Sequence, residues 1–174
     1  SYNSLKSIPG IEAAARWVYQ TFHEERIFSC IKAHATPVTS KTNPKIYEIH
    51  QQVLKRLDSP EDYPLFILKS NNHQAYACGM EKHIIVISQA LLNNINDGEL
   101  RFILGHELSH ILAEHLLFKN MLRLLYISSW LTIKLPIATP LIMGLQMALL
   151  NWDRKSEYSA DRAGLLTNER PRCR

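Results

Sequence analysis

Cysteine is scarce. The 174 residues contain three, Cys30, Cys78 and Cys173, odd in number, far apart and without a Cys-x-x-Cys pair. This excludes a disulfide framework and a thiolate zinc finger, and it fits a reducing compartment. No basic, apolar and cleavage-site sequence opens the chain, so secretion is not expected and a cytoplasmic location is. Internal repeats and low-complexity tracts are also lacking. Charge of one sign is weak: 20 Lys and Arg against 16 Asp and Glu leave +4. Arg170, Arg172 and Arg174 against Glu169 supply half of that excess. The rest is too diffuse for the concentrated basic face that nucleic acid requires, so no nucleic-acid partner is expected. At 46% hydrophobic and 21% charged residues the chain is neither disordered nor collagen-like. Its length suits a single core that buries about two-thirds of the unfolded surface.

Along the chain, residues 1–35 read as helical, and Thr36–Pro44 as a loop with two prolines. Ile46, Ile49, Val53, Leu54 and Leu57 mark an amphipathic helix that ends near Asp58-Ser59-Pro60. Leu65–Leu68, Gln74–Cys78 and His83–Ser88 read as three strands of a small, mostly antiparallel meander. Helices follow, so the expected class is α+β. The pivotal helix starts with Asn96 and Glu99 as a capping box and carries an apolar stripe of Leu100, Ile103, Leu104, Leu108, Ile111 and Leu112. It is expected to run to about His115–Phe118.

That helix contains His106-Glu107-Leu108-Ser109-His110, the pattern H-E-x-x-H. Positions four apart lie about 40° apart around a helix axis, so both imidazoles can reach one tetrahedral ion. Glu107 projects about 60° from His110, near the ion but not on it, where it can take a proton from a metal-activated water. Tetrahedral catalytic zinc needs a third protein ligand. Ser156–Gly164 reads as a second helix with Glu157 and Asp161 on one face. Ala160, Ala163 and Gly164 would let it approach the first closely. Glu157 is the expected third ligand, and Asp161 the acceptor for the far nitrogen of a ligating histidine. The pattern H-E-x-x-H-x-x-G-x-x-H is excluded, because Ala113 and Leu116 stand where its glycine and last histidine belong. His115 is one residue out of register and is expected as a solvated helix-end histidine.

Gly105–Ile111 (GHELSHI) with Glu157–Gly164 (EYSADRAG) resembles the M48 family of gluzincin metallopeptidases, which includes integral membrane heat-shock and prenyl proteases. The likeness extends upstream through Gln74-Ala75-Tyr76-Ala77, Ile84–Leu91 and Glu99–Ile111, about residues 65–166, with Gln74 where the family commonly has Asn. The resemblance implies a zincin-like fold and hydrolysis of protein or peptide substrates, with one Zn²⁺ per chain. It also implies a cleft bordered by Ala75, Tyr76 and Ala77, whose backbone would pair with a substrate strand on the non-primed side. His73, Tyr158 and Arg162 are candidates for a second oxyanion donor.

The organisation expected is an N-terminal helical region 1–64 packed on a metallopeptidase domain 65–168, then a tail 169–174. The alternative function is a catalytically silent zinc-binding domain, chaperone-like or adaptor, because Thr167–Arg174 departs from the family. Cys173, flanked by arginines, could reach the zinc as a latency switch. Residues 121–150 form the most apolar stretch. Because His110 and Glu157 must meet, the chain crosses a membrane there twice or not at all, and about 30 residues are too few for two spans. A helical hairpin insert is expected, Lys119–Ile133 then Pro140–Trp152, offering peripheral membrane contact or self-association.

Overall fold

The computed structural model describes residues 28–29, 31, 33–79, 82–120, 122 and 139–168. Among the described residues four strands form one sheet: β1 (Ala35–Pro37), β2 (Leu65–Leu68), β3 (Ala75–Cys78) and β4 (Ile84–Ser88), in the order β1-β2-β4-β3. β1 pairs antiparallel with β2, and β3 antiparallel with β4, but β2 and β4 run parallel. The sheet is therefore mixed rather than the expected meander. The reason lies in β4, whose five residues are all buried. A strand without a solvated face belongs at the centre of a sheet. β3, half-buried at Ala75 and Tyr76, takes the edge.

Ala35–Pro37 corrects two expectations, a helix up to residue 35 and a loop from 36. Pairing Ala35 with Leu68 and Pro37 with Phe66 satisfies backbone that has no strong local preference. An edge strand tolerates Pro37, which has no N–H to donate. Residues 1–27 lie outside those described.

Among the described residues the helices used below are α1 (Pro44–Arg56), the short α2 (Gln89–Leu92), α3 (Asp97–Leu112) and α4 (Thr139–Asn168), so the class is α+β. Pro44 starts α1, where a missing N–H costs nothing. One face of the sheet contributes Leu65, Ile67, Ala77, Ile85 and Ile87 to a core shared with Val53 of α1 and Leu104 and Leu108 of α3. Alternate residues Cys78, Ile84 and Val86 pack in a second cluster with Ile31. Residues 35–64 thus build the same core as the strands that follow.

The Asn96 capping box forms as expected: its side chain accepts from Gly98 and Glu99 N–H, while Glu99 accepts from Asn96 N–H. The helix stops earlier than expected, at Leu112. Glu114 adopts a left-handed φ of 54°, and a new helical turn covers 115–120. The expected helix at Ser156–Gly164 and the second arm of the hairpin, Pro140–Trp152, are parts of one 30-residue helix, α4. No residue punctuates Trp152–Ser156, so nothing breaks the backbone ladder there. Residues 123–138, the remainder of the hairpin, lie outside those described. Among the described residues no helix is long and apolar enough to cross a membrane.

α3 and α4 cross at two glycines. A Cβ on Gly164 would lie 2.8 Å from the Phe102 carbonyl oxygen, and one on Gly105 would lie 2.5 Å from the Thr167 methyl. Below Gly105, buried Thr167 donates its hydroxyl toward the Arg101 carbonyl at 2.8 Å. This contact is what brings residues of α4 within reach of α3.

Candidate metal centre

His106 and His110 sit one turn apart on α3, and Glu157 projects from α4 toward both. The Nε2 atoms of the histidines are 3.2 Å apart. Glu157 Oε2 lies 3.2 Å from His106 Nε2, and Oε1 lies 3.6 Å from His110 Nε2. Zinc bonds of about 2.0–2.1 Å in a tetrahedron imply edges of about 3.3 Å between ligand atoms. The three side chains therefore fit one zinc ion, and their ligand atoms all lie within 4.8 Å of one another. Two imidazole nitrogens this close, with a carboxylate beside them, suit a cation.

The far nitrogens of the two histidines meet different partners. His106 Nδ1 is 3.0 Å from Asp161 Oδ1, a half-exposed carboxylate one turn beyond Glu157. His110, 3% exposed, has its Nδ1 3.0 Å from Nδ1 of His115. Burial above all, with Lys119, His106 and His115 adding to it, holds the His110 ring down to about 2. A neutral ring keeps a lone pair available to a metal.

Glu107 lies beside this trio but is turned to the sheet edge. Its Oε2 accepts the Ala77 N–H at 2.8 Å. Burial pushes the Glu107 carboxyl up, and outweighs the Ala77 N–H and the His106 and Lys119 charges that oppose it. A carboxylate raised in this way accepts a proton more readily than an ordinary one. Of the residues expected on the cleft, Ala75 and Ala77 pack toward the α3 side of the sheet and Tyr76 toward the other cluster. Thus Ala77 meets Glu107 through its backbone, a link that the sequence alone did not suggest.

His115 corrects an expectation. It is buried, with its ring 5.2 Å from His110 and 5.4 Å from Trp152, rather than solvated. The left-handed turn at Glu114 re-aims it, and nothing in the local sequence announces such a turn. Lys119, not singled out from the sequence, bonds Glu157 Oε1 and lies 3.7 Å from Asp153 Oδ1. Its spacing of four from His115 is the signal that pairs them on one face. Among the oxyanion candidates, His73 Nε2 is 3.0 Å from the Asn94 amide and Tyr158 is exposed. Cys173 lies outside the described residues.

Two histidines and a carboxylate on crossed helices, with a second glutamate beside a sheet edge, are the donor set of a metallohydrolase. The model of peptidase family M48 matches residues 40–173, and the chain belongs to that family. A chloroplastic plastoglobule-localized metallopeptidase 48 from Arabidopsis thaliana is 23% identical over 176 residues, covering 97% of this chain and 48% of that protein. An HtpX protease homologue from Fusobacterium nucleatum is 31% identical over 70 residues, 39% of this chain and 23% of its own. One from Trichormus variabilis is 25% identical over 107 residues, 60% and 37% respectively. The chain spans about half the length, or less, of these curated relatives. No solved structure matches it.

Proposed function

We propose that this chain carries the site of a zinc-dependent metalloendopeptidase with a zincin-like domain. In this reading His106, His110 and Glu157 hold one Zn²⁺ and Glu107 is the general base. The observation that carries it is the convergence of the three ligand atoms from two helices at near-tetrahedral edges. The bound zinc would supply Lewis acidity toward water and toward the scissile carbonyl. Glu107, held by the Ala77 N–H with its carboxyl pushed up by burial, takes a proton from the attacking water and returns it to the leaving amine. Asp161 orients His106 by accepting its Nδ1–H. β3 is an edge strand beside α3, so Ala75, Tyr76 and Ala77 border the cleft, and the outward backbone groups of the strand other than the Ala77 N–H, which Glu107 holds, are offered to an extended protein or peptide substrate.

The decisive experiment is Glu107→Gln, with bound zinc measured alongside hydrolysis of a quenched casein. The expected result is one zinc per chain and a loss of turnover of at least about 10²-fold. Hydrolysis at the wild-type rate would sink the mechanism. Zinc binding by the wild type without chelator-sensitive hydrolysis would favour the silent, zinc-holding module.

A further inference from the structure

Three side chains ligate in that reading, but a third histidine completes the group from behind. His115 lies on the opposite side of His110 from Glu157: Nε2 of His110 faces the carboxylate and Nδ1 faces His115. The two nitrogens of an imidazole diverge, so His115 cannot share an ion with His110 Nε2. It can only act through the ring.

We infer that His115 is a positioning residue for the metal centre: its Nδ1 accepts the Nδ1–H of His110 and so fixes the lone pair on the nitrogen that faces Glu157. The inference rests on the metallopeptidase reading. A neutral histidine offers either nitrogen as the donor, and the partner of the other nitrogen decides which. For His106 that partner is Asp161, at the more exposed edge of the site. For His110 the same duty falls to a neutral acceptor. At a position 3% exposed this is the cheaper solution, because burying a second carboxylate would need a compensating charge.

The acceptor is itself held from two sides. The His115 ring stands edge-on to Trp152, and Phe118 packs on the same indole at 5.1 Å. One turn further on, Lys119 donates to Glu157 Oε1, while Oε2 faces His106. The turn 115–120 therefore touches two of the three ligands, one on each helix. The break at Glu114 is what makes this reach possible. Had α3 continued unbroken, His115 would lie five residues past His110, on the far side of the helix.

The test uses the whole chain, stripped of metal and titrated with Zn²⁺ against a chromophoric chelator. His115→Phe keeps a ring on Trp152 but removes the acceptor. Zinc affinity should fall about 10- to 100-fold while the metal-free melting temperature stays within a few degrees. His115→Gln, which restores an acceptor oxygen, should recover most of that loss. The Co²⁺ form of the Phe variant should show a shifted visible spectrum. Unchanged zinc affinity in His115→Phe overturns the inference. So does a loss that Gln fails to recover and that tracks an equal fall in melting temperature, since packing would then explain it. A second measurement needs no variant: nitrogen NMR of the metal-free wild type should find the hydrogen on Nδ1 of His110. Finding it on Nε2 overturns the inference even if the Phe variant does not fold. Should the wild type bind no zinc while His110 still carries its hydrogen on Nδ1, the metallopeptidase reading fails and the positioning bond stands.

Discussion

Gly105 and Gly164 face each other where α3 crosses α4, and a Cβ on Gly105 would lie 3.2 Å from the Gly164 Cα. The same Cβ would come within 2.5 Å of the Thr167 methyl, closer than carbon atoms can sit. Gly105→Ala must therefore push the helices apart. The expected cost is about 1–3 kcal/mol of stability, as for other overpacked cores. Because Glu157 rides on α4 and both histidines on α3, zinc affinity should fall as well. Denaturant unfolding and zinc titration of the same preparation check both effects.

Removing the carboxylate behind His106 should show in metal affinity before it shows in stability. Asp161→Ala leaves His106 Nδ1 without its acceptor at 3.0 Å, and zinc affinity should drop about 10- to 100-fold. Asp161→Asn keeps an acceptor oxygen but no charge, so its loss should be smaller. Equal losses for the two variants would assign the effect to charge alone.

Zinc itself should stabilise the fold. A ligand bound only by the native state adds about 2.7 kcal/mol when present at 100 times its Kd. The melting temperature should therefore rise with zinc and return with chelator. In His106→Ala the rise should vanish. A wild type whose melting ignores zinc would count against the whole centre.

His50 predicts an acid limb that is independent of the metal site. It is buried on α1, its Nε2 has no hydrogen-bond partner, and burial holds the ring down to about 4 despite the nearby Asp62. The folded value lies below the ordinary 6.5, so the unfolded chain binds the proton first as pH falls. Stability is then complete above about pH 6.5 and is lost down to about pH 4, by about 3 kcal/mol in all. His110 and His115 are shifted in the same direction, so the difference between wild type and His50→Leu isolates this group. Identical pH profiles for the two proteins would refute it.

Glu114 pays a conformational cost for the turn it makes. A residue with a side chain in the left-handed region is disfavoured by about 1–2 kcal/mol, and a β-branched one by more. Glu114→Gly should be neutral or stabilising by up to about 1 kcal/mol, and Glu114→Val destabilising. Urea midpoints distinguish them.

Much of the site was legible because local spacing carries it. H-E-x-x-H places two rings on one face of a helix, and Asn96 with Glu99 announces where that helix begins. The small residues of 160–164 anticipate a close approach, though not that Gly105 would be its counterpart. What stayed hidden depends on contacts distant in sequence. The Ala35–Pro37 strand exists because β2 has an edge to pair, and the centre went to β4 because both its faces are buried. The link from Ala77 N–H to Glu107 spans thirty positions and involves a backbone atom, which no side-chain pattern reports. His115 reads as solvated only on a continuous helix, and one left-handed residue reverses its environment.

The undivided length of α4 has a mechanical consequence. At about 1.5 Å per residue, exposed Met147 stands about 15 Å along the rod from Glu157, with no joint between them. The segment is thus one rigid rod, held against α3 at the glycine crossing and at Trp152 by His115 and Phe118. A tilt applied at the methionine end reaches the carboxylate undiminished in angle.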